Sequence, residues 1–365
     1  MLVLGSEISY FTGKFETYLR YKQIPYTYRG LDLVHYYWIV PRRLGATQYP
    51  TVRLPDGRWM SDTTPMIAWL ERQHPERPVI PNDPVQRYVA LLIEDYADEW
   101  LWRPAMYYRW SHADDRRLAA SSLAREVVRL PLPLALRRQM VARRQTHLFV
   151  THDGVKDRAT RKHAQAAYTR LLAMLESVFA ARPFLFGERP TIADIGLMGP
   201  FWRHFAHDPT PAKLMQDDAP ATFAWAARMW SARAERLGSR RLEEGVPADL
   251  SPLLHEIGET HLEALSANAA AHAAGLATHD LTIQGATYRD VPTSAYRVWC
   301  LEQLRDRLGE LDGGDARQVR ALLERDGCWE PLWRIDGLAS GHDPGGTAPF
   351  CKVTRMVRDA DRIVR

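Results

Sequence analysis

Three short stretches near the start of the chain hold hydroxyl and acidic groups where local geometry can put them to chemical use. The first is Ser9-Tyr10-Phe11-Thr12, which follows an apolar run and opens a helical pattern. A hydroxyl at such a strand-to-helix turn lies beside amides that have no partner within the helix. It can donate to an anion such as a thiolate, which the helix dipole also favours. An ordinary thiol titrates at about 8.5, and each unit of depression corresponds to about 1.4 kcal/mol. The second stretch, Tyr49-Pro50, begins a short strand. The third, Asp62-Thr63, opens another helical pattern. A hydroxyl and amides there suit a carboxylate, and the acid suits an ammonium. Asp and Thr also cap helices well, so alone the pair describes a helix start equally. Together the three offer backbone and hydroxyl groups to a small, peptide-like anionic ligand.

These groups are positioned by alternating strand and helix signals over residues 2 to about 80, which predict an α/β unit. LVLGSEIS reads as a strand, Lys14 to Gln23 as a helix stopped before Pro25, and Tyr26 to Leu31 as a second strand. Thr51 to Leu54 and Trp59 to Ser61 flank a Pro-Asp-Gly turn, as in a hairpin. Pro65 sits in the first turn of the next helix, where a missing N–H costs little. The Pro-rich stretch Glu71 to Pro84 reads as a linker, and helical periodicity follows to about residue 275.

Within the helical part, Thr191 and Asp194 form an S/T-x-x-D capping arrangement, expected to be structural. The segment EDYADEWLWRPAMYYRW, Glu94 to Trp110, is rich in aromatic residues and Met, which suit an apolar substrate. The same residues recur at helical spacing and read mostly as core, with Tyr107 and Trp110 the pair expected to reach a cleft. Glu94, Asp95, Asp98 and Glu99 lack the Glu-x-x-His partner of a dinuclear site and read as a solvated or interdomain face. His204-x-x-His207-Asp208 has no third metal ligand in sequence and reads as a structural pair. Beyond residue 250 the chain predicts an Ala-rich helix from His255 to Gly275, a hairpin about a Gly285-Ala286 turn, an amphipathic helix from Ser294 to Leu311, and an irregular tail from about Ile335 that packs on the surface.

The composition is that of a globular protein of about two domains: 365 residues, 46% hydrophobic and 25% charged. The net charge is +4, with 42 arginines to six lysines. The basic cluster Arg125 to Arg144 is interrupted by LPLPLAL and has no aromatic stacking ladder, so nucleic acid is not an expected partner. No apolar run of about eighteen residues suggests a membrane span. The N-terminus reads as a strand rather than a signal peptide. Cys300, Cys328 and Cys351 have no metal-ligand spacing and read as reduced thiols of a cytosolic protein.

SYFTGK with YLRYKQIPY, then YPTV, SDTTPMIAWLE and RPTIAD, together resemble the glutathione transferase superfamily over roughly residues 2 to 245. The chain also looks like bacterial transferase-like proteins with a longer C-terminal region. The resemblance implies a thioredoxin-like βαβαββα domain over residues 1–78, an all-helical domain over 85–250 and an extension over 251–365. It implies glutathione as co-substrate, with no metal, a small hydrophobic electrophile as acceptor, a homodimer and a cytoplasmic location. In serine- and cysteine-type relatives the thiol-activating residue opens the first helix, which places Ser9 there. Many relatives have proline next where this chain has Tyr10, which leaves Tyr10 and Thr12 as other candidates. Serine there argues against the glutaredoxin-like chemistry of cysteine-type relatives. The resemblance makes Pro50 cis, with the backbone of Tyr49 facing the cysteinyl unit, and gives the γ-glutamyl unit to Asp62 and Thr63. His35, Arg42, Arg43 and Gln48 remain candidates for the glycyl carboxylate. Alternatives are a transferase-fold binding or interaction protein without catalysis, and a glutathione-dependent lyase, dehalogenase or isomerase.

Overall fold

A computed structural model describes residues 1–45 and 47–350. The chain begins β1 (Leu2–Gly5), α1 (Tyr10–Lys22), β2 (Thr27–Gly30), a π-helical turn (His35–Ile39) that runs into α2 (Val40–Leu44), β3 (Thr51–Arg53), β4 (Trp59–Met60) and α3 (Thr63–Gln73). The strands lie in the order β2-β1-β3-β4, with β1 and β2 parallel and the other pairs antiparallel. A parallel β1–β2 pair needs the α1 crossover between them, whereas β3 and β4 need only the Pro-Asp-Gly turn. This is the expected thioredoxin-like domain.

Helices α4 (Pro84–Glu99), α5 (Trp102–Ser111), α6 (Ala113–Glu126), α7 (Leu134–Thr146), α8 (Arg158–Ala181), α9 (Ile192–Pro200), α10 (Pro209–Asp218), α11 (Pro220–Ser231) and the short α12 (Ala234–Leu237) follow, as the helical pattern predicts. At the start of α9 the Thr191–Asp194 capping box forms. The buried Asp194 carboxylate accepts from Thr191 N at 2.9 Å, Leu185 N at 3.0 Å and Trp225 Nε1 at 3.2 Å, so it ties α9 to α11 as well as capping it. The linker is docked at its far end: Ile192 N donates to Val79 O at 2.9 Å, and Val79 N to Glu71 Oε2 at 2.8 Å.

After residue 250 come α13 (Ser251–Ile257), α14 (Glu263–Ala273), the hairpin β5 (Thr278–Ile283) and β6 (Ala286–Pro292), α15 (Ala295–Gly309), α16 (Gly313–Arg325) and α17 (Trp329–Trp333). The expected Ala-rich helix is α14, reached from α13 through a π-helical turn at Gly258–Leu262. The hairpin turn lies one residue earlier than expected. Ile283 pairs with Ala286, leaving Gln284 and Gly285 as the loop, both at positive φ (47° and 80°), the backbone a two-residue hairpin favours. The hairpin is pinned to α8 by His163, whose ring nitrogens meet Tyr288 Oη at 2.7 Å and Gln284 Oε1 at 3.0 Å. Cys300 and Cys328 are buried free thiols, while Cys351 lies outside the described residues. Among the described residues no helix is long and apolar enough to cross a membrane.

Candidate functional site

Strand register alone brings the three stretches together. Leu4 faces Thr51 across β1–β3, and Val52 faces Met60 across β3–β4. The end of β1, the start of β3 and the end of β4 therefore lie at one edge of the sheet, and Ser9, Tyr49-Pro50 and Asp62 follow or precede those strand ends. The approach of α1 to β1 needs a glycine: a Cβ on Gly5 would sit 2.5 Å from Thr12 Oγ1.

Ser9 is the N-cap of α1, in extended backbone, and its Oγ accepts from Thr12 N at 3.4 Å. Its own hydroxyl hydrogen is taken up by no group among the described residues. The turn before it is held from the helical domain. Glu126 accepts from Ser6 Oγ at 2.6 Å, Glu7 N at 3.2 Å and Tyr28 Oη at 2.8 Å. Arg109 donates to Ile8 O at 2.6 Å and is clamped by Asp208 at 2.8 and 3.0 Å. His204 Nε2 lies 3.0 Å from the same guanidinium. Burial first, and then the Arg109 charge, holds the His204 ring far below its ordinary pKa, so it is a neutral acceptor. The His204-x-x-His207-Asp208 segment is thus a structural clamp that positions the Ser9 turn through Arg109.

The other two hydroxyls point elsewhere. Tyr10 is 1% exposed, and its Oη donates to Ala97 O in α4. Its ring lies against Trp102 and His204, centroids 5.4 and 5.3 Å away, and so close to Gly199 that a Cβ there would stand 2.9 Å from the ring. Burial raises the Tyr10 pKa well above its usual value. Thr12 is buried beneath Gly5, its Oγ1 without a hydrogen-bond partner among the described residues. Of the three candidates, Ser9 alone is partly exposed.

The Tyr49–Pro50 peptide is cis. Tyr49 packs on the small cluster of Leu4, Leu31, Val40 and Leu44, with the Tyr36 ring 5.9 Å away. Among the candidates for a glycyl carboxylate, His35 is bonded to Asp32 at 2.8 Å and Arg42 lies over the Trp38 ring. Asp62 has φ 72°, a setting costly for a residue with a side chain and therefore a marker of constrained geometry. Tyr296 of α15 stands beside its carboxyl. Burial lifts its pKa to about 7, against the downward pull of Tyr296 and Lys14 and with a further lift from Glu94 and Glu99. Thr63, buried, is the first residue of α3, whose leading amides have no partner within the helix.

Beneath this corner lies an ion cluster missed in the sequence. Lys14 is fully buried, pairs with Glu94 and Asp98 of α4, and donates to Thr64 Oγ1 at 3.1 Å. Burial alone would lower the Lys14 pKa, but the two carboxylates hold it above the ordinary value. Asp95 meets His261 Nε2 at 2.7 Å and Glu99 meets Arg297 at 3.4 Å, so the acidic stretch is an internal junction of α1, α3, α4 and the extension, not a solvated face. One signal was available: a lysine at position 14 falls in the apolar stripe with Phe11, Phe15 and Tyr18.

The two aromatics expected at a substrate cleft are enclosed. Tyr107 and Trp110 are 6% and 2% exposed inside the helical domain, where Tyr107 Oη accepts from Gln165 of α8 at 3.1 Å. Their helical spacing placed them in the core, as for most of that segment. Phe11, two residues after Ser9, is partly exposed and stacks on the partly exposed Trp102 at 5.7 Å and 15°, and the partly exposed Phe149 stands edge-on to Trp102 at 5.2 Å. Phe149 comes from a turn that local sequence does not connect to the site.

The structure thus joins a thioredoxin-like sheet domain to a helical domain, with a capping serine, a cis X–Pro peptide and an acid-hydroxyl helix start at neighbouring strand ends. Residues 3–78 match the family model of the glutathione S-transferase N-terminal domain, and residues 139–232 that of the glutathione S-transferase C-terminal domain. Over those residues the chain carries the N- and C-terminal domains of the glutathione S-transferase family. It is similar to a GST-like protein from Pseudomonas syringae (16% identity, 68% of this chain and 76% of that one, TM-score 0.42). It is also similar to a glutathione S-transferase from Methylobacterium radiotolerans solved with glutathione sulfonate (18%, 62% and 89%, 0.41). A third is the beta-etherase LigF from Sphingobium sp. strain SYK-6 (15%, 62% and 93%, 0.45). No curated protein matches the chain.

Proposed function

We propose that the protein binds glutathione at the sheet edge and activates its thiol for attack on an apolar electrophile. In this reading the backbone of Tyr49 pairs with the cysteinyl unit, while Asp62 and Thr63 hold the γ-glutamyl ammonium and carboxylate. Ser9 accepts from Thr12 N and so keeps its own O–H free to donate to the sulfur. That bond and the α1 N-terminus favour the thiolate over the thiol. The sulfur lone pair forms the new C–S bond as the leaving group departs with its electron pair, and an apolar acceptor lies on the Phe11–Trp102–Phe149 aromatics. Proximity and thiolate activation supply the rate. The observation that carries the reading is the register that gathers Ser9, Tyr49-Pro50 and Asp62-Thr63 at one sheet edge.

The test is calorimetric titration with glutathione, followed by conjugation of a chloronitroaromatic and a panel of other electrophiles. No heat of binding, together with no thiol-dependent turnover, sinks the proposal. A second reading, a transferase-fold binding protein without turnover, is favoured by one observation: the extension reaches this corner, with Pro349 O on Ser61 N and Tyr296 beside Asp62. Binding without turnover on any electrophile would select it. The cytoplasmic location and the homodimer stay part of the proposal. Gel filtration with light scattering tests the second.

A further inference from the structure

The tail after α17 does not lie loosely on the surface. Arg305 of α15 donates to Leu332 O and Ile335 O at 2.8 and 2.7 Å, starting the tail across that helix. Glu302 then takes Ser340 N at 2.7 Å and Ser340 Oγ at 2.5 Å. The buried His342 ring sits between Tyr296 and Trp299, centroids 5.0 and 5.3 Å away. Asp343 folds the next turn by accepting from Thr347 N and Ala348 N, both at 3.0 Å. The segment ends on the thioredoxin-like domain: Pro349 is buried and its carbonyl accepts from Ser61 N at 3.3 Å. Phe350 stands edge-on to Trp69 of α3 at 5.4 Å, with the Arg58 guanidinium 4.5 Å over its ring. Ser61 is the residue immediately before Asp62, so the tail and Tyr296 converge on the corner assigned above to the γ-glutamyl unit.

We propose that residues 340–350, together with Tyr296, form a strap that occupies the Ser61–Thr63 corner and competes with glutathione for it. The inference rests on the glutathione reading. Both occupants would use the same corner, since Pro349 O already takes Ser61 N and Tyr296 stands beside Asp62, where a ligand ammonium would have to enter. The strap has no regular helix or strand, and among the described residues its hold on the sheet domain is one backbone hydrogen bond, one aromatic edge contact and the Arg58 guanidinium over Phe350. Few contacts set against the entropy of ordering a segment make a latch that opens locally without unfolding the domain. The apparent dissociation constant is then the intrinsic one divided by the open fraction, so a strap open a tenth of the time weakens binding about tenfold.

The experiment uses the full chain, wild type and Phe350→Ala, titrated with glutathione by calorimetry, alongside hydrogen exchange of the wild type with and without saturating glutathione. Expected are a dissociation constant several-fold lower in the variant, and faster exchange on adding glutathione at Thr347, Ala348 and Phe350, whose amides are bonded within the closed strap. Equal affinity in both chains, with unchanged exchange at those amides, overturns the strap and leaves the glutathione reading standing. Binding by neither chain overturns the glutathione reading and the strap with it.

Discussion

Replacing Ser9 by glycine separates what its hydroxyl does for the helix from what it does for a thiolate. The Oγ accepts from Thr12 N at 3.4 Å, so Ser9→Ala removes both a cap and a donor. Loss of a serine cap to alanine costs about 1 kcal/mol, whereas glycine in the same place costs only a few tenths, about 0.3 kcal/mol. Ser9→Gly should therefore fold almost as stably as the wild type while lacking the hydroxyl. A hydrogen bond to a charged group is worth about 1.5–3 kcal/mol, and about 1.4 kcal/mol is one pKa unit. The thiol of bound glutathione should thus rise by about one to two units in Ser9→Gly. At a pH below that pKa, kcat/KM should fall by about 10- to 100-fold. The assay is a pH titration of thiolate ultraviolet absorbance in the complex, paired with conjugation kinetics and urea unfolding. Tyr10→Phe is the contrasting variant. It leaves Ala97 O without its buried donor and should lower stability by about 1 kcal/mol, with no change in the thiol pKa. An unchanged thiol pKa in Ser9→Gly, or a shift in Tyr10→Phe instead, would refute the assignment of the donor.

Three further outcomes follow from the geometry. Asp194→Ala strips a buried acceptor from Thr191 N, Leu185 N and Trp225 Nε1, so urea unfolding should show a loss of about 3 kcal/mol or more, beyond the roughly 1 kcal/mol of a simple cap. Lys14→Met leaves Glu94 and Asp98 buried without their cation and should destabilise by about 3–5 kcal/mol; the triple change with Glu94→Gln and Asp98→Asn should recover part of that loss. Binding of S-methylglutathione, which has no titrating thiol, should weaken as pH falls through about 7, where Asp62 takes up a proton and no longer pairs with an ammonium. Tyr296, Lys14, Glu94 and Glu99 surround that carboxyl, and Asp62→Asn should make the affinity independent of pH between about 6 and 8. Because the folded pKa lies above the unfolded one, the same group lowers fold stability as pH rises from about 4 to 7.

Local patterns set much of this protein. Turn residues, helix starts and the 3.6-residue period of the apolar positions are short-range properties, so the βαβαββα order, the helical second part, the Thr191–Asp194 box and the late hairpin could be read directly. Ser9, Pro50 and Asp62 each sit at the end of a local element, so their positions were legible for the same reason, while the cis Tyr49–Pro50 peptide was implied only by the family resemblance. What lay beyond the sequence was direction. Tyr10 and Ser9 are neighbours, but only the packing of α1 against α4 and α9 turns the tyrosine inward onto Ala97 and Gly199. Tyr107 and Trp110 carry the same chemistry as Trp102, and only the angle of α5 decides that Trp102 meets Phe11 while the others are enclosed. Lys14 and its two carboxylates are 80 and 84 residues apart, and Tyr296 is farther still from Asp62. Pairings over such separations form when elements dock, because burial makes a lone charge or donor costly and selects whichever partner the fold brings near. The sequence by itself determined which hydroxyl and acidic groups stand at the ends of local elements; the tertiary structure decided which hydroxyl stays partly exposed and brought the tail against Ser61.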